Sequence, residues 1–236
     1  MNEATQSAGA GARLARLRNG IADAARAAGR DPASVTLVAV AKRHPAAAVA
    51  ELAEAGQRDF AENYVDEAVA KITSLAEAGL ARDAIWHYIG RIQSNKTRAI
   101  AAHFDWVHSI DRAKVAERLG AQRPDGMTPL ACCIEVNVSG EQSKGGVAPG
   151  EVAELAAVIR GQPRLRLRGL MALPAPHTDP TRQREAFEQV RELLETLPGP
   201  DALDVLSMGT SADYPAAIAA GATHVRIGTA LFGPRP

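Results

Sequence analysis

The chain has 236 residues, 46% of them hydrophobic, which is enough to bury a substantial core and too apolar for a disordered chain. Its 27 Lys and Arg balance 27 Asp and Glu, so no global field draws it to nucleic acid or to an anionic membrane. No uninterrupted apolar run approaches the length of a bilayer span, and residues 1–20 carry Glu3 and scattered arginines where a signal peptide needs an apolar stretch; a soluble, cytoplasmic protein is expected. The two cysteines, Cys132 and Cys133, are neighbours in a predicted strand and point to opposite faces, so they can build neither a disulfide framework nor a zinc site and read as small core residues.

Short β-branched or apolar runs alternate with longer Ala/Leu/Glu/Arg segments along the chain, the pattern of βα units around a parallel sheet. A helix over about 7–28 comes first. Strands are expected at 35–41, 59–62, 85–89, 106–109, 130–138, 165–171, 205–207 and 224–227. Between them, helices over 46–55, 64–78, 111–119 and 212–220 end at Gly56, Gly79, Gly120 and Gly221, the usual stop signal. Helices over 150–159 and 181–197 fill the remaining gaps, the second closed by Pro198-Gly199-Pro200.

Eight strands in a chain of this length fit a single (β/α)8 TIM-type barrel, α/β in class, with an extra N-terminal helix in place of a final one. The expected organisation is one domain over 1–236: the helix within 1–30, the barrel over 35–229 and a tail over 230–236. An open doubly wound sheet is the alternative, but Gly9-Ala10-Gly11 precedes every strand and cannot serve as its dinucleotide fingerprint.

A parallel barrel places its active site at the carboxyl ends of the strands. Lys42 directly follows the buried run at 37–41, where apolar walls would favour the neutral amine that attacks an aldehyde; the plainer reading is a solvated lysine at a strand end. Ser207-Met208-Gly209-Thr210-Ser211 joins the seventh strand to a helix and offers backbone N–H groups and hydroxyls to an anion, with Ser211 as an ordinary cap the competing account. Arg226-Ile227-Gly228-Thr229 repeats glycine and hydroxyl after the eighth strand. Loops seven and eight of such barrels often hold a phosphate, so together they suggest a phosphorylated aldehyde, and pyridoxal 5′-phosphate (PLP) fits.

Ordered matches span about 35–235: the run ending in Lys42; Gly56-Gln57-Arg58-Asp59-Phe60-Ala61-Glu62-Asn63-Tyr64; Trp86-His87-Tyr88-Ile89-Gly90-Arg91-Ile92-Gln93-Ser94-Asn95-Lys96; Arg168-Gly169-Leu170-Met171-Ala172; Leu206-Ser207-Met208-Gly209; and 217–229. On these residues the chain resembles the pyridoxal phosphate homeostasis (YggS/PROSC-like) family, related to the N-terminal barrel of alanine racemases, PLP fold type III. The resemblance implies PLP as cofactor, Lys42 as the lysine of the Schiff base and Asn63 beside the ring. It implies a phosphate held by Ser207, Met208, Gly209, Ser211, Gly228 and Thr229, and Arg226 near the pyridine nitrogen. An arginine there does not readily give up a proton, so the cofactor would be a poor electron sink. Arg43, His44, Ala61 and Tyr214-Pro215 depart from the family pattern, and the roles of Lys144 and of 93–96 are read as an exposed lysine and as structural support, with Ser94 a plausible helix cap.

Three functions compete. The resemblance favours a non-catalytic carrier that holds PLP reversibly in vitamin B6 homeostasis and delivers it to PLP-dependent apoenzymes, acting as a monomer or weak homodimer without nucleic acid or membrane. An amino-acid racemase is the alternative, though it needs an acid and a base on opposite faces of a carbanion, the second brought in related enzymes by a further domain. A cofactor-free Schiff-base aldolase would leave Asn63 and Arg226 without a role. No paired-histidine spacing supports a metal, Asp213 spoils a nucleophile elbow, and Arg164, Arg166 and Arg168 read as a polar outer strand face.

Overall fold

The computed structural model describes residues 9–141, 145–175, 179–199 and 203–233. Strands β1 (Thr36–Val40), β2 (Asp59–Glu62), β3 (Ile85–Tyr88), β4 (Trp106–Ile110), β5 (Leu130–Val136), β6 (Leu165–Ala172), β7 (Val205–Ser207) and β8 (His224–Ile227) close into a barrel in chain order. Every neighbouring pair is parallel, and β8 returns to β1 with Val38 opposite Arg226. The expected (β/α)8 barrel is therefore what forms.

Alternation along each strand sorts the side chains between two environments. On the outer face Leu37, Ala39, Phe60, Val107, Cys132 and Ile134 join helix residues such as Leu52, Ile100, Leu119 and Phe187 in one continuous core. Full burial of each large side chain contributes roughly 1.5–3 kcal/mol, and this layer holds the helices to the barrel. Facing the barrel axis are two small apolar groups, Val38 with Val40 and Ala61, and Cys133 with Met171 and Val205. The adjacent cysteines thus part to opposite faces, and burial pushes the Cys133 thiol up to about 12.

The helices are α1 (Ala10–Ala27), α2 (Ala46–Glu54), α3 (Val65–Glu77), α4 (Thr97–His103), α5 (Ala113–Gln122), α6 (Val152–Arg160), α7 (Pro180–Thr196), α8 (Tyr214–Ala219) and α9 (Thr229–Phe232). The leading helix buries Leu14, Leu17, Ile21 and Ala25, spaced by three and four residues, against α2 and α8. Arg30, just beyond it, donates to the carbonyls of Ile218 and Ala222 at 2.8 Å each, closing the seam where the chain begins and ends.

Some expectations need correction. A short helix, α9, does follow the last strand, and α4 occupies a stretch read only as a connection, since seven residues carry too little periodicity to show. Gly120 does not stop α5, which runs through it; it is there because Gln162 packs against the helix at that point, 2.9 Å from where a Cβ would lie. Leu165 and Leu167 take the outer face of β6, so Arg168 turns toward the axis instead. There it stacks over Trp106, 5.1 Å from the ring centre, and pairs with Asp204 at 2.6 Å. Lys144 and residues 7–8, 200–202 and 234–236 lie outside the described residues.

Candidate functional site

At the carboxyl ends of the strands a cavity of about 360 Å3 opens. Its lining brings together Lys42, Asn63, Ser211, Arg226, Gly228 and Thr229 from four different strand ends. Ser207, Met208 and Gly209, which the sequence also nominated, do not line it. Ser207 and Met208 are fully buried, Ser207 against Arg226 and Met208 in the outer core.

Each wall is held by contacts that the sequence explains locally. Lys42 emerges where β1 ends, and α3 fixes the backbone on either side of it. The Lys71 ammonium donates to the Ala41 carbonyl at 2.8 Å and to Glu62 at 2.5 Å, while the Arg43 backbone N–H donates to Glu67 at 2.6 Å. Arg43 accordingly sits in the left-handed region at φ 63°, a conformation that costs a non-glycine residue about 1 kcal/mol and that the Glu67 bond sustains. Glu62 is wholly buried; desolvation raises its carboxyl to about 7 although Lys71, and more weakly Lys42, pull it down.

Asn63 is set by a close approach of chains. A Cβ on Gly90 would fall 2.1 Å from the Asn63 carbonyl oxygen, so only glycine lets the β3 end pass there. The Tyr88 hydroxyl adds a bond to that same carbonyl at 3.2 Å. With its backbone fixed, Asn63 presents a buried side-chain oxygen that no group among the described residues engages, ready for a ligand donor.

The turn after β7 needs Gly209, at φ 94° with Ala217 2.7 Å from an added Cβ. Asp213 then accepts from the Thr210 backbone N–H at 2.5 Å and from its hydroxyl at 2.9 Å. Ser211 is left at the cavity wall rather than acting as the cap of α8, which begins at Tyr214. Gly228 and Thr229 face it from the end of β8, where Gly228 runs beside the Val40 carbonyl.

Arg226 is the charged floor. It is 6% exposed and donates to the Ser207 carbonyl at 2.5 Å, the Ser207 hydroxyl at 2.8 Å and the Ala172 carbonyl at 3.0 Å. Burial lowers its pKa to about 10, against the pull of Glu135 and Asp213, so it stays cationic at neutral pH. Glu135, raised by its own burial, lines the same cavity.

Sequence reasoning missed Glu135 and His44 as lining residues, and took Thr210 only as a member of the loop after β7. Glu135 did leave a signal, a charged residue inside the apolar strand run 130–136. The segment 93–96 does not line the cavity: Lys96 pairs with Asp66 of α3 at 2.7 Å, and Ser94 caps nothing, since α4 begins at Thr97. Lined by an amine, a buried cation, hydroxyls and a free acceptor, the cavity suits a small anion that carries an electrophile.

Comparison with known proteins gives the same direction. The family model described as alanine racemase, N-terminal domain, matches residues 13–236. The pyridoxal phosphate homeostasis protein of Pseudomonas aeruginosa is 56% identical over 222 residues, covering 94% of each chain. Its namesake in Escherichia coli (strain K12) is 50% identical over 226 residues, covering 94% of this chain and 95% of the other. Among solved structures, PipY of Synechococcus elongatus PCC7942 with PLP bound matches with a TM-score of 0.78 at 37% identity, covering 95% of this chain and 100% of that one. On matches that span nearly all of its length, the chain belongs to the pyridoxal phosphate homeostasis protein family, built on the alanine racemase N-terminal domain.

Proposed function

We propose that this chain binds PLP reversibly as a Schiff base on Lys42 and buffers or delivers it to PLP-dependent apoenzymes, with no robust turnover of its own. The observation that carries the reading is a single cavity walled by Lys42 on one strand end and by the loops after β7 and β8 on others. The relatives' shared name and the PLP bound to PipY support it.

The residues divide the work by chemistry. The Lys42 amine would hold the cofactor through its aldehyde carbon with loss of water, and hydrolysis would return it intact. Ser211, Thr229 and the Gly228 backbone would hold the phosphate, with Thr210 beside them. Ser207, Met208 and Gly209 support that grip from behind: Ser207 binds Arg226, Met208 packs beneath the loop and Gly209 permits its turn. Asn63 would engage the ring substituents through its unpaired oxygen. Arg226, a donor without a lone pair to offer, would face the ring without protonating it. When bound, PLP supplies an electrophilic carbonyl and a conjugated ring; an arginine partner leaves that ring a weak electron sink, which suits storage better than carbanion chemistry. Leu173, also in the lining, is half exposed, so the cavity reaches solvent on that side.

The same reading makes the chain one cytoplasmic barrel domain. Absorbance titration with PLP, on wild type and Lys42→Ala in parallel, tests it. A saturable one-to-one spectral change in wild type alone is expected; the same change in both proteins, or in neither, defeats the proposal. Deuterium entry at the α-carbon of L-alanine with inversion would make the protein a racemase instead.

A further inference from the structure

The barrel interior is not filled with aliphatic side chains alone. A line of polar groups crosses it from the strands' amino ends to the cavity. Asp59, at the start of β2, lies 3.1 Å from His87 Nε2 through its Oδ1. His87 Nδ1 is 2.9 Å from His108 Nε2, and His108 Nδ1 is 2.7 Å from the Ser207 hydroxyl. That hydroxyl meets Arg226 at 2.8 Å, and Arg226 lines the cavity. His87, His108 and Ser207 have no exposed surface.

We propose that Asp59, His87, His108 and Ser207 form a one-directional hydrogen-bond relay that aims Arg226 at the cavity and ties it to a second cavity at the opposite end of the barrel.

Direction follows from the inventory of donors. Arg226 can only donate, so the Ser207 oxygen accepts from it and the single Ser207 proton goes to His108 Nδ1. His108 then carries its proton on Nε2 and gives it to His87 Nδ1. His87 in turn carries its proton on Nε2 and gives it to the Asp59 carboxylate oxygen. With Asp59 ionised and both histidines neutral, every member uses its one proton once and no other arrangement satisfies all four bonds. A second proton on His108 would have to point at Ser207, whose own proton has no other acceptor on the relay, since Arg226 offers none.

The surroundings enforce the same state. His108 is held well below the usual imidazole range by burial and by His87, His224 and Arg226 around it. His224 on β8 is likewise depressed, to about 4, with Asp59 and Asp204 opposing burial and Arg168 adding to it. Trp106 of β4 stacks on His87 with ring centres 5.6 Å apart, which fixes the imidazole plane. His87, His108 and Asp59 are thus positioning residues, acting on the cavity through Ser207 and Arg226.

The far end of the relay is not sealed. Asp59 lines a cavity of about 470 Å3 at the amino ends of β1 and β2, together with Arg18, Thr36, Gln57 and Arg58. A change there that alters the Asp59 carboxylate therefore reaches Arg226 through four hydrogen bonds with no backbone movement. The geometry stands on the chain alone; its consequence for PLP rests on the function proposed above.

The test begins with 15N NMR of the cofactor-free protein. Expected are a proton on Nε2 and none on Nδ1 for both His87 and His108, no titration of His108 between pH 5 and 8, and separately resolved Arg226 Nη signals from slow guanidinium rotation. A proton on His108 Nδ1, or a charged His108 in that range, overturns the relay without any variant. In Asp59→Leu the Arg226 Nη signals should merge and PLP affinity fall about tenfold, the worth of one hydrogen bond, while Asp59→Asn, whose amide oxygen still accepts from His87, restores both. Arg226 signals unchanged in a folded Asp59→Leu protein also overturn the proposal. Failure of wild type to bind PLP defeats the proposed function instead, because the NMR readouts need no cofactor.

Discussion

Lys71→Met is the sharpest probe of how the fold holds its reactive lysine. Lys71 is buried, and its ammonium serves Glu62 at 2.5 Å, the Ala41 carbonyl at 2.8 Å and Glu67 at 3.2 Å. Methionine keeps the stem's volume and removes the charge, leaving Glu62 buried without its hydrogen-bonded cation and Ala41 without this donor. Breaking one side of a buried pair costs about 3–5 kcal/mol, which for a protein of this size is a fall in Tm of roughly 6–20 °C. The cost should depend on pH. Glu62 already titrates near 7 in the fold against an ordinary 4.5, so the folded state binds the extra proton. Stability from this group is complete below pH 4.5 and is lost as pH rises through about 7. Without Lys71 the folded pKa climbs further and the loss continues above neutrality, at up to about 1.4 kcal/mol per pH unit. Thermal melts at pH 5.5 and pH 8.5 should show a deficit that widens with pH, and Glu62→Gln with Lys71→Met should recover most of it. A deficit that is constant with pH would refute the reasoning.

Other outcomes follow from the same geometry. His224→Gln should flatten acid destabilisation: its depressed folded pKa contributes stability present above pH 6.5 and lost as pH falls toward about 4, on the order of 3 kcal/mol, measurable by urea titrations across that range. Gly209→Ala should cost about 1–3 kcal/mol and weaken PLP uptake, because the new Cβ meets Ala217 at 2.7 Å with φ at 94°; unchanged melting and affinity would contradict the packing account. Arg123→Met should destabilise by about 3 kcal/mol or more, since buried Arg123 donates to the carbonyls of Ala101 and Phe104 at 2.7 Å each and of Thr128 at 3.0 Å. Refolded at low temperature, that variant should bind PLP as wild type does, its contacts lying away from the cavity.

Much of the barrel could be read from runs of residues, because each strand's apolar stretch and each helix's three-and-four spacing are local. The runs 59–62, 205–207 and 224–227 form strands with the expected bounds, whereas β5 stops at Val136, two residues short, where the Asn137 backbone N–H donates to the Val147 carbonyl at 2.9 Å instead of continuing the ladder. What the sequence hides is register across strands. His87, His108, Ser207 and Arg226 are 21, 99 and 19 residues apart along the hydrogen-bonded line, and only barrel closure makes them neighbours. Histidines weighed solely as metal ligands gave no hint of this. Yet Trp106 with His108, and His224 with Arg226, alternate by two, which already marks an inward polar face. For the cavity, glycines and hydroxyls at strand ends pointed to the right loops, while the division between residues that line it and residues that brace it depended on burial and needed coordinates.

The central claim is that one particular amine holds the cofactor, and the chain offers only five lysines, at 42, 71, 96, 114 and 144. Borohydride reduction of PLP-loaded protein followed by peptide mass spectrometry reads the attachment point directly. A stoichiometric phosphopyridoxyl group on Lys42 is expected; the label on any other lysine in its place, or no label at all, would contradict the account.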